Sequence, residues 1–235
     1  MSGHSKWATT KRAKEGKDAK RSSLFTKISK IISVAARDGA DPEMNFKLRM
    51  AIDKAKTFSM PKENIDRAVK KGSGDSGETR IENYIYEGYG PGGVALILEV
   101  LTDNKNRSAS NIKHIFSKFG GNMGAEGSVR WMFETKGQIT LKQSQLTEED
   151  ELKIIEAGAE DIENEDDKIK VIVVLEELEK IKNKLQTVGF AVESSEMVYR
   201  AKDKVVSAKE EQLLKLMDAL DDDDDVNNIY TNADI

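Results

Sequence analysis

The sequence predicts an α+β fold of three domains: an N-terminal three-helix bundle, then two ferredoxin-like α+β domains with the third inserted in the second. Three observations carry this expectation. Apolar residues recur at helical spacing from Leu24 to Val69, the period of helices that bury one face. After Gly72-Ser73-Gly74-Asp75-Ser76-Gly77 the pattern changes to short strand-like segments separated by turn residues. A β-α-β-β-α-β series then completes itself within residues 136–206 and leaves a helix and a strand over at the C-terminus. At 235 residues, the chain has the length for two or three compact units.

Residues 1–21 read as a basic arm, polar on every side except for Trp7. Such a segment buries too little surface to order itself and is expected to wait for a partner. Residues 22–74 read as the bundle. Ser22 or Ser23 is the expected cap of its first helix, whose Leu24, Ile28, Ile31, Ile32 and Ala35 share a face up to Asp38-Gly39. The second helix is expected to open at Asp41-Pro42-Glu43, with Leu48, Ala51, Ile52 and Ala55 inward. The third starts near Pro61, buries Ile65, Ala68 and Val69 and stops at Gly72.

The next unit spans 79–135. Strands at Ile81–Glu87 and Val94–Leu101, a helix at Arg107–Phe119 and a strand at Ser128–Thr135 are expected. Residues 136–206 supply strand Gln138–Leu141, helix Glu148–Ala157, strands Ala159–Glu163 and Lys170–Val174, helix Leu178–Leu185 and strand Ala191–Arg200. The remaining helix Lys209–Leu220 and strand Val226–Thr231 are what the 79–135 unit lacks. The tail, residues 207–235, is therefore expected to return to it.

Charge points to function. Residues 1–72 hold 18 Lys/Arg against 8 Asp/Glu, or +10, whereas the remaining 163 hold 19 against 34, or −15. One end is built to approach a polyanion, and nucleic-acid phosphate is the commonest. Candidate contacts are Lys6, Lys11, Arg12, Lys14, Lys17, Lys20, Arg21 and Lys27, with Trp7 as a stacking residue. Lys47 and Lys54, and likewise Arg49 and Lys56, are seven residues apart on the second helix. Each pair is nearly eclipsed, about 100° to one side of the apolar stripe, so two cationic rows flank the seam.

Other classes find little support. There is no cysteine, hence no disulfide, thiolate nucleophile or Cys-ligated metal. The two histidines, His4 and His114, sit beside no nucleophile, and His114 reads as a helix-surface residue. Asp221–Asp225 reads as a solvated loop before it reads as a cation site. Gly88–Gly93 is turn chemistry without a phosphate loop's lysine. Thr102–Arg107 reads as a strand-to-helix loop capped by Asp or Asn, with phosphate at Lys105 and Arg107 as the rival. No catalytic residue, metal, cofactor or small-molecule substrate is expected. Neither is a membrane partner: no signal-peptide core or apolar span occurs, and a cytoplasmic location is the expectation.

Several blocks together resemble the YebC/PmpR family. They are Gly3-His4-Ser5-Lys6-Trp7-Ala8, Asp18-Ala19-Lys20-Arg21, Phe25-Thr26-Lys27, Met60-Pro61-Lys62-Glu63-Asn64-Ile65 and Tyr86-Glu87-Gly88-Tyr89-Gly90-Pro91-Gly92-Gly93. Thr102-Asp103-Asn104-Lys105-Asn106-Arg107, Gly127-Ser128-Val129, Glu156-Ala157-Gly158-Ala159-Glu160-Asp161 and Tyr230-Thr231-Asn232 carry the likeness to the end. The resemblance implies a helical domain and two α+β domains, the middle one containing the tail. It also implies a non-enzymatic cytoplasmic regulator, assigned to DNA-binding transcriptional control or to work on the ribosome, including help with consecutive prolines. The chain departs from the family at Asn45-Phe46-Lys47-Leu48-Arg49, where members often have Asn-Pro-Arg-Leu-Arg, and at Arg21-Ser22, where Arg-Gly is usual. It also lacks the usual proline near residues 197–199.

The combined expectation is a non-enzymatic regulator of gene expression that binds nucleic acid through arm and bundle, mainly by phosphate. A ribosome- or RNA-associated translation factor, touching rRNA or tRNA, ranks first. A regulator of duplex DNA ranks second, and a protein-interaction module third. Protein partners are expected on the acidic α+β domains.

Overall fold

The computed structural model describes residues 17–74, 80–165 and 168–235, with 17–20 described by backbone alone. The first helix, α1 (Lys17–Ala35), starts before the expected serine caps. The Lys, Ala and Arg residues near its start are good helix formers, so Ser22 and Ser23 lie inside it, and residues 17–21 are helix rather than arm. Ser23 turns its hydroxyl to Asp224 Oδ1 at 2.6 Å instead of capping. The second helix, α2 (Phe46–Thr57), opens later than Asp41 because Asn45 is the better cap. Its Oδ1 accepts from the Leu48 amide at 3.1 Å, while its Nδ2 donates to Ala35 O at 2.8 Å and Gly39 O at 2.7 Å. One buried side chain thus ties the end of α1 to the start of α2. Asp41 caps only the preceding turn, accepting from the Glu43 amide.

Helix α3 (Lys62–Ser73) follows Pro61 and ends on Gly74, which has a φ of 89°. It lies so close to α1 that a β-carbon on Gly72 would meet Ser33 O at 2.1 Å. Ser33 Oγ donates to Ala68 O across the same contact at 2.8 Å. Ile28, Ile32, Leu48 and Ala55 are buried where the three helices meet.

Two four-stranded antiparallel sheets follow. In the first, β1 (Glu82–Tyr89) and β2 (Ala95–Thr102) form a hairpin, and helix α4 (Lys105–Lys118) leads to the short strand β3 (Asn122–Met123). In the second, β4 (Phe133–Leu141), helix α5 (Glu148–Ala157), β5 (Asp161–Glu165), β6 (Lys168–Val174), helix α6 (Leu178–Thr187) and β7 (Val192–Ala201) run in sequence. The tail is helix α7 (Glu210–Asp221) and strand β8 (Val226–Thr231). β8 pairs with β2, giving the order β3-β1-β2-β8 beside the order β5-β6-β4-β7. Each sheet is built on a split β-α-β unit: β1 lies between β2 and β3, and β6 lies between β4 and β5.

The expected strand Ser128–Thr135 is a correction. Residues 126–129 form a turn and Arg130–Met132 a short 3-10 helix, and one strand, β4, runs without a break through Thr135, Lys136, Gly137 and Gln138. Gly137 is no breaker there. It admits Leu178, whose Cδ1 a β-carbon would meet at 2.8 Å, and close approach is a standard use of strand glycine.

Every residue of β2 is buried. Leu96, Leu98 and Val100 face α4 and α7 through Ile112, Phe116, Leu213 and Met217. Ala95 and Ile97 face the second sheet through Val129, Phe133, Val198 and Tyr199. Tyr199 meets Tyr230 of β8 edge-on, with centroids 5.3 Å apart. No helix among the described residues is long and apolar enough to cross a membrane.

The link from β3 to β4 is pinned by Glu87, which is 3% exposed. Its carboxylate accepts from the amides of Gly127 and Val129 at 2.8 Å each and from Arg130 at 2.9 Å. Charged acceptors make the stronger hydrogen bonds, and removing this one strands three donors. Glu87→Ala should lower unfolding free energy by about 2–4 kcal/mol in urea titrations. An unchanged midpoint would show that the loop holds itself.

Candidate nucleic-acid interface

The cations expected to meet phosphate fall into three groups. Lys6, Trp7, Lys11, Arg12 and Lys14 lie outside the described residues. Lys17 and Lys20 lie in the first turn of α1, and Arg21 is exposed with its guanidinium 5.3 Å from the centre of the Phe25 ring. Lys27 differs from the outward contact expected of it. Its side chain is 13% exposed and its Nζ donates to the backbone carbonyl and carboxylate of Asp221.

The α2 rows flank the seam of Leu48, Ala51 and Ala55. Lys47, Lys54 and Lys56 are exposed, and Arg49 is half-buried with its guanidinium 5.3 Å from the Phe46 ring centre. Lys47 pairs with Asp38 at 3.0 Å and Lys56 with Asp53 at 3.1 Å. Both pairs are solvent-exposed, worth little, and easily exchanged for phosphate. On α3, Lys62, Arg67 and Lys70 add exposed charge that the sequence-derived site did not include.

The Asp221–Asp225 run corrects an expectation. It is not a solvated loop: it folds over α1. Lys30 Nζ donates to Asp224 O at 2.8 Å and to the Asp225 carboxylate. Asp225, with a side chain 7% exposed, also accepts from Ser108 Oγ at 2.6 Å and Arg107 Nη2 at 3.1 Å. One carboxylate therefore joins α1, the start of α4 and the turn before β8. Burial pushes its pKa up, but the hydrogen bonds from Lys30, Ser108 and Arg107 outweigh that and hold it below the usual carboxylate range. Asn104 caps α4 by accepting from the Arg107 amide at 3.1 Å, so the capping reading of the Thr102–Arg107 loop is the observed one. Arg107 reaches both Asp103 and Asp225. Sequence spacing held no signal for this cluster, because its members are up to 195 positions apart.

His114 is exposed on α4, as expected. Among the described residues no group of three or more His, Cys, Asp or Glu side chains is placed to hold a metal ion.

Comparison with known proteins adds the lineage. The model of the TACO1/YebC N-terminal domain matches residues 5–75, and that of the TACO1/YebC second and third domain matches residues 81–233. The chain belongs to the TACO1/YebC family. It is 45% identical over 240 residues to a "probable transcriptional regulatory protein" of Thermoanaerobacter pseudethanolicus, covering 100% of this chain and 98% of the relative. A protein of the same name from Kosmotoga olearia is 48% identical over 238 residues, covering 99% and 94%. The fold is similar to the crystal structure of a conserved hypothetical protein from Aquifex aeolicus. There the TM-score is 0.81 and the identity 40%, over 94% of each chain.

In this TACO1/YebC protein, Asp225 sets an acid-sensitive contact. A group whose pKa folding depresses contributes stability that is fully present above its unfolded pKa, about 3.9. That stability is lost as pH falls through the lower folded value. Asp225→Asn should cost about 3 kcal/mol at pH 7. In thermal melts from pH 7 to pH 2, the variant should then lose less than the unaltered protein on the acid limb. Parallel profiles would remove Asp225 as their source.

Proposed function

We propose that this protein is a non-enzymatic regulator of gene expression that grips nucleic-acid phosphate with its helical bundle and the basic segment before it. The observation that carries the reading is the split of charge, +10 in residues 1–72 against −15 in the rest. Exposed Lys54, Lys62, Arg67 and Lys70 keep that charge at the surface of α2 and α3. Phosphate contact releases counterions and needs no base-specific reader. Lys27 and Lys30 do not add to that surface charge, because they are ion-paired with Asp221 and Asp225 of the same chain.

The proposed setting is the translation apparatus. RNA-bearing particles are met by charge and shape, and the bundle offers lysines where a duplex-DNA reader needs bidentate base contacts. Transcriptional control through DNA is the second reading, favoured by the names of the relatives from Thermoanaerobacter and Kosmotoga. The acidic α+β region would face away from phosphate and serve protein partners.

Replacing Lys11, Arg12 and Lys14 together by Ala should weaken binding and lower the salt slope by about one unit for each phosphate no longer neutralised. Fluorescence anisotropy across a salt series reads this, and identical curves would remove the basic segment from the interface. Sucrose-gradient sedimentation of lysate at low salt, with and without RNase, separates the settings. Co-migration with ribosomal particles that RNase abolishes supports translation; protein that stays at the top in both runs counts against it.

A further inference from the structure

A groove of ≈ 410 Å³ runs between α1 and α3 and ends against the start of α4. It belongs to neither α2 row, and its cations include Arg67 of the exposed α3 charge and Arg107 of the Thr102–Arg107 loop. One wall is a row of hydroxyls on α1, Ser22, Thr26 and Ser29, spaced three and four apart and hence on one helix face. The opposite wall is Asn64, Arg67 and Lys71 of α3, again three and four apart. Lys30 and Arg107 close the end, both held from behind by the Asp225 carboxylate. Asp103 lies on the lining and pairs with Arg107, so Lys30 and Arg107 are already matched by carboxylates and Arg67 carries the exposed charge of the groove.

We infer that this groove binds the phosphodiester backbone of a single nucleic-acid strand, with Arg67 as its principal cation. The inference rests on the nucleic-acid reading above and gives it a second, structured contact. The chemistry is that of phosphate recognition: arginine supplies charge, while Ser22, Ser29 and Asn64 donate to the remaining oxygens. The Thr26 hydroxyl donates to Ser22 O at 3.1 Å. Arg67 is exposed, and its planar fork suits two oxygens of one phosphate. The cations and hydroxyls line a groove rather than a flat face. The flexible backbone of a single strand can follow such a groove, whereas a duplex carries its phosphates on the outside of a stiff, broader rod.

The test is fluorescence anisotropy of the full chain with a labelled single-stranded RNA of about 12 nucleotides, within the span such sites cover, the matching DNA strand and the matching duplex, across a salt series. Arg67→Ala should raise Kd roughly 5- to 10-fold and lower the salt slope by about 0.7, the single-strand value for one phosphate. Ser29→Glu, which adds an anion to the opposite wall, should weaken binding as much, and Arg67→Lys should restore the slope. RNA and DNA strands should be weakened equally, because the contact is to phosphate. Thermal melts of each variant show that the fold persists. If both groove variants bind as the unaltered protein while the Lys11/Arg12/Lys14 variant is weakened, the groove assignment falls and the nucleic-acid reading stands. Binding stronger to duplex, with the same weakening for Arg67→Ala, overturns the single-strand assignment. An unaltered protein that binds none of the three overturns both.

Discussion

Asp225 holds the basic end of the molecule in place. A carboxylate buried at the end of the chain's most acidic run would ordinarily be a liability, and it is tolerable only because its oxygens receive Lys30, Ser108 and Arg107. Those donors come from α1 and α4, so satisfying one charge aligns the bundle with the first sheet. Lys27 and Ser23 continue the seam along Asp221 and Asp224. The contact is electrostatic and partly exposed, which makes it sensitive to acid and salt in a way that an apolar seam is not.

Behind that seam the tail completes a sheet far from its place in the sequence. β8 covers the edge of β2, and α7 supplies Leu213, Leu216, Met217 and Leu220 to the core beneath it. β2 is thereby buried on both faces, which explains the unbroken apolar run from Val94 to Leu98. The second sheet enters through β4 and leaves through β7, neighbours in that sheet. Its excursion therefore begins and ends at one place, and the first sheet closes around it.

The helical faces and the strands were largely legible because their periods are local. Leu48, Ala51 and Ala55 on α2, or Leu213 and Met217 on α7, announce a buried stripe in any context. The expectations that failed concern residues serving two segments at once. Asn45 outcompetes Asp41 as a cap because it also binds the end of α1, and Gly137 continues a strand because Leu178 needs its empty side. Lys27 reads as one more cation of a basic helix, and nothing nearby in sequence reveals that Asp221 faces it.

The α+β class, the position of the helical segment, the leftover helix and strand, and the asymmetry of charge could all be read from the order of residues. Each of these depends on composition or on a period of a few residues. Only packing settled which cations face outward, how the aspartate run is used, and that hydroxyls of α1 confront Asn64 and Arg67 of α3 across a groove. Charge and burial at a side chain are set by neighbours distant along the chain, and their positions exist only once the sheets and helices have packed.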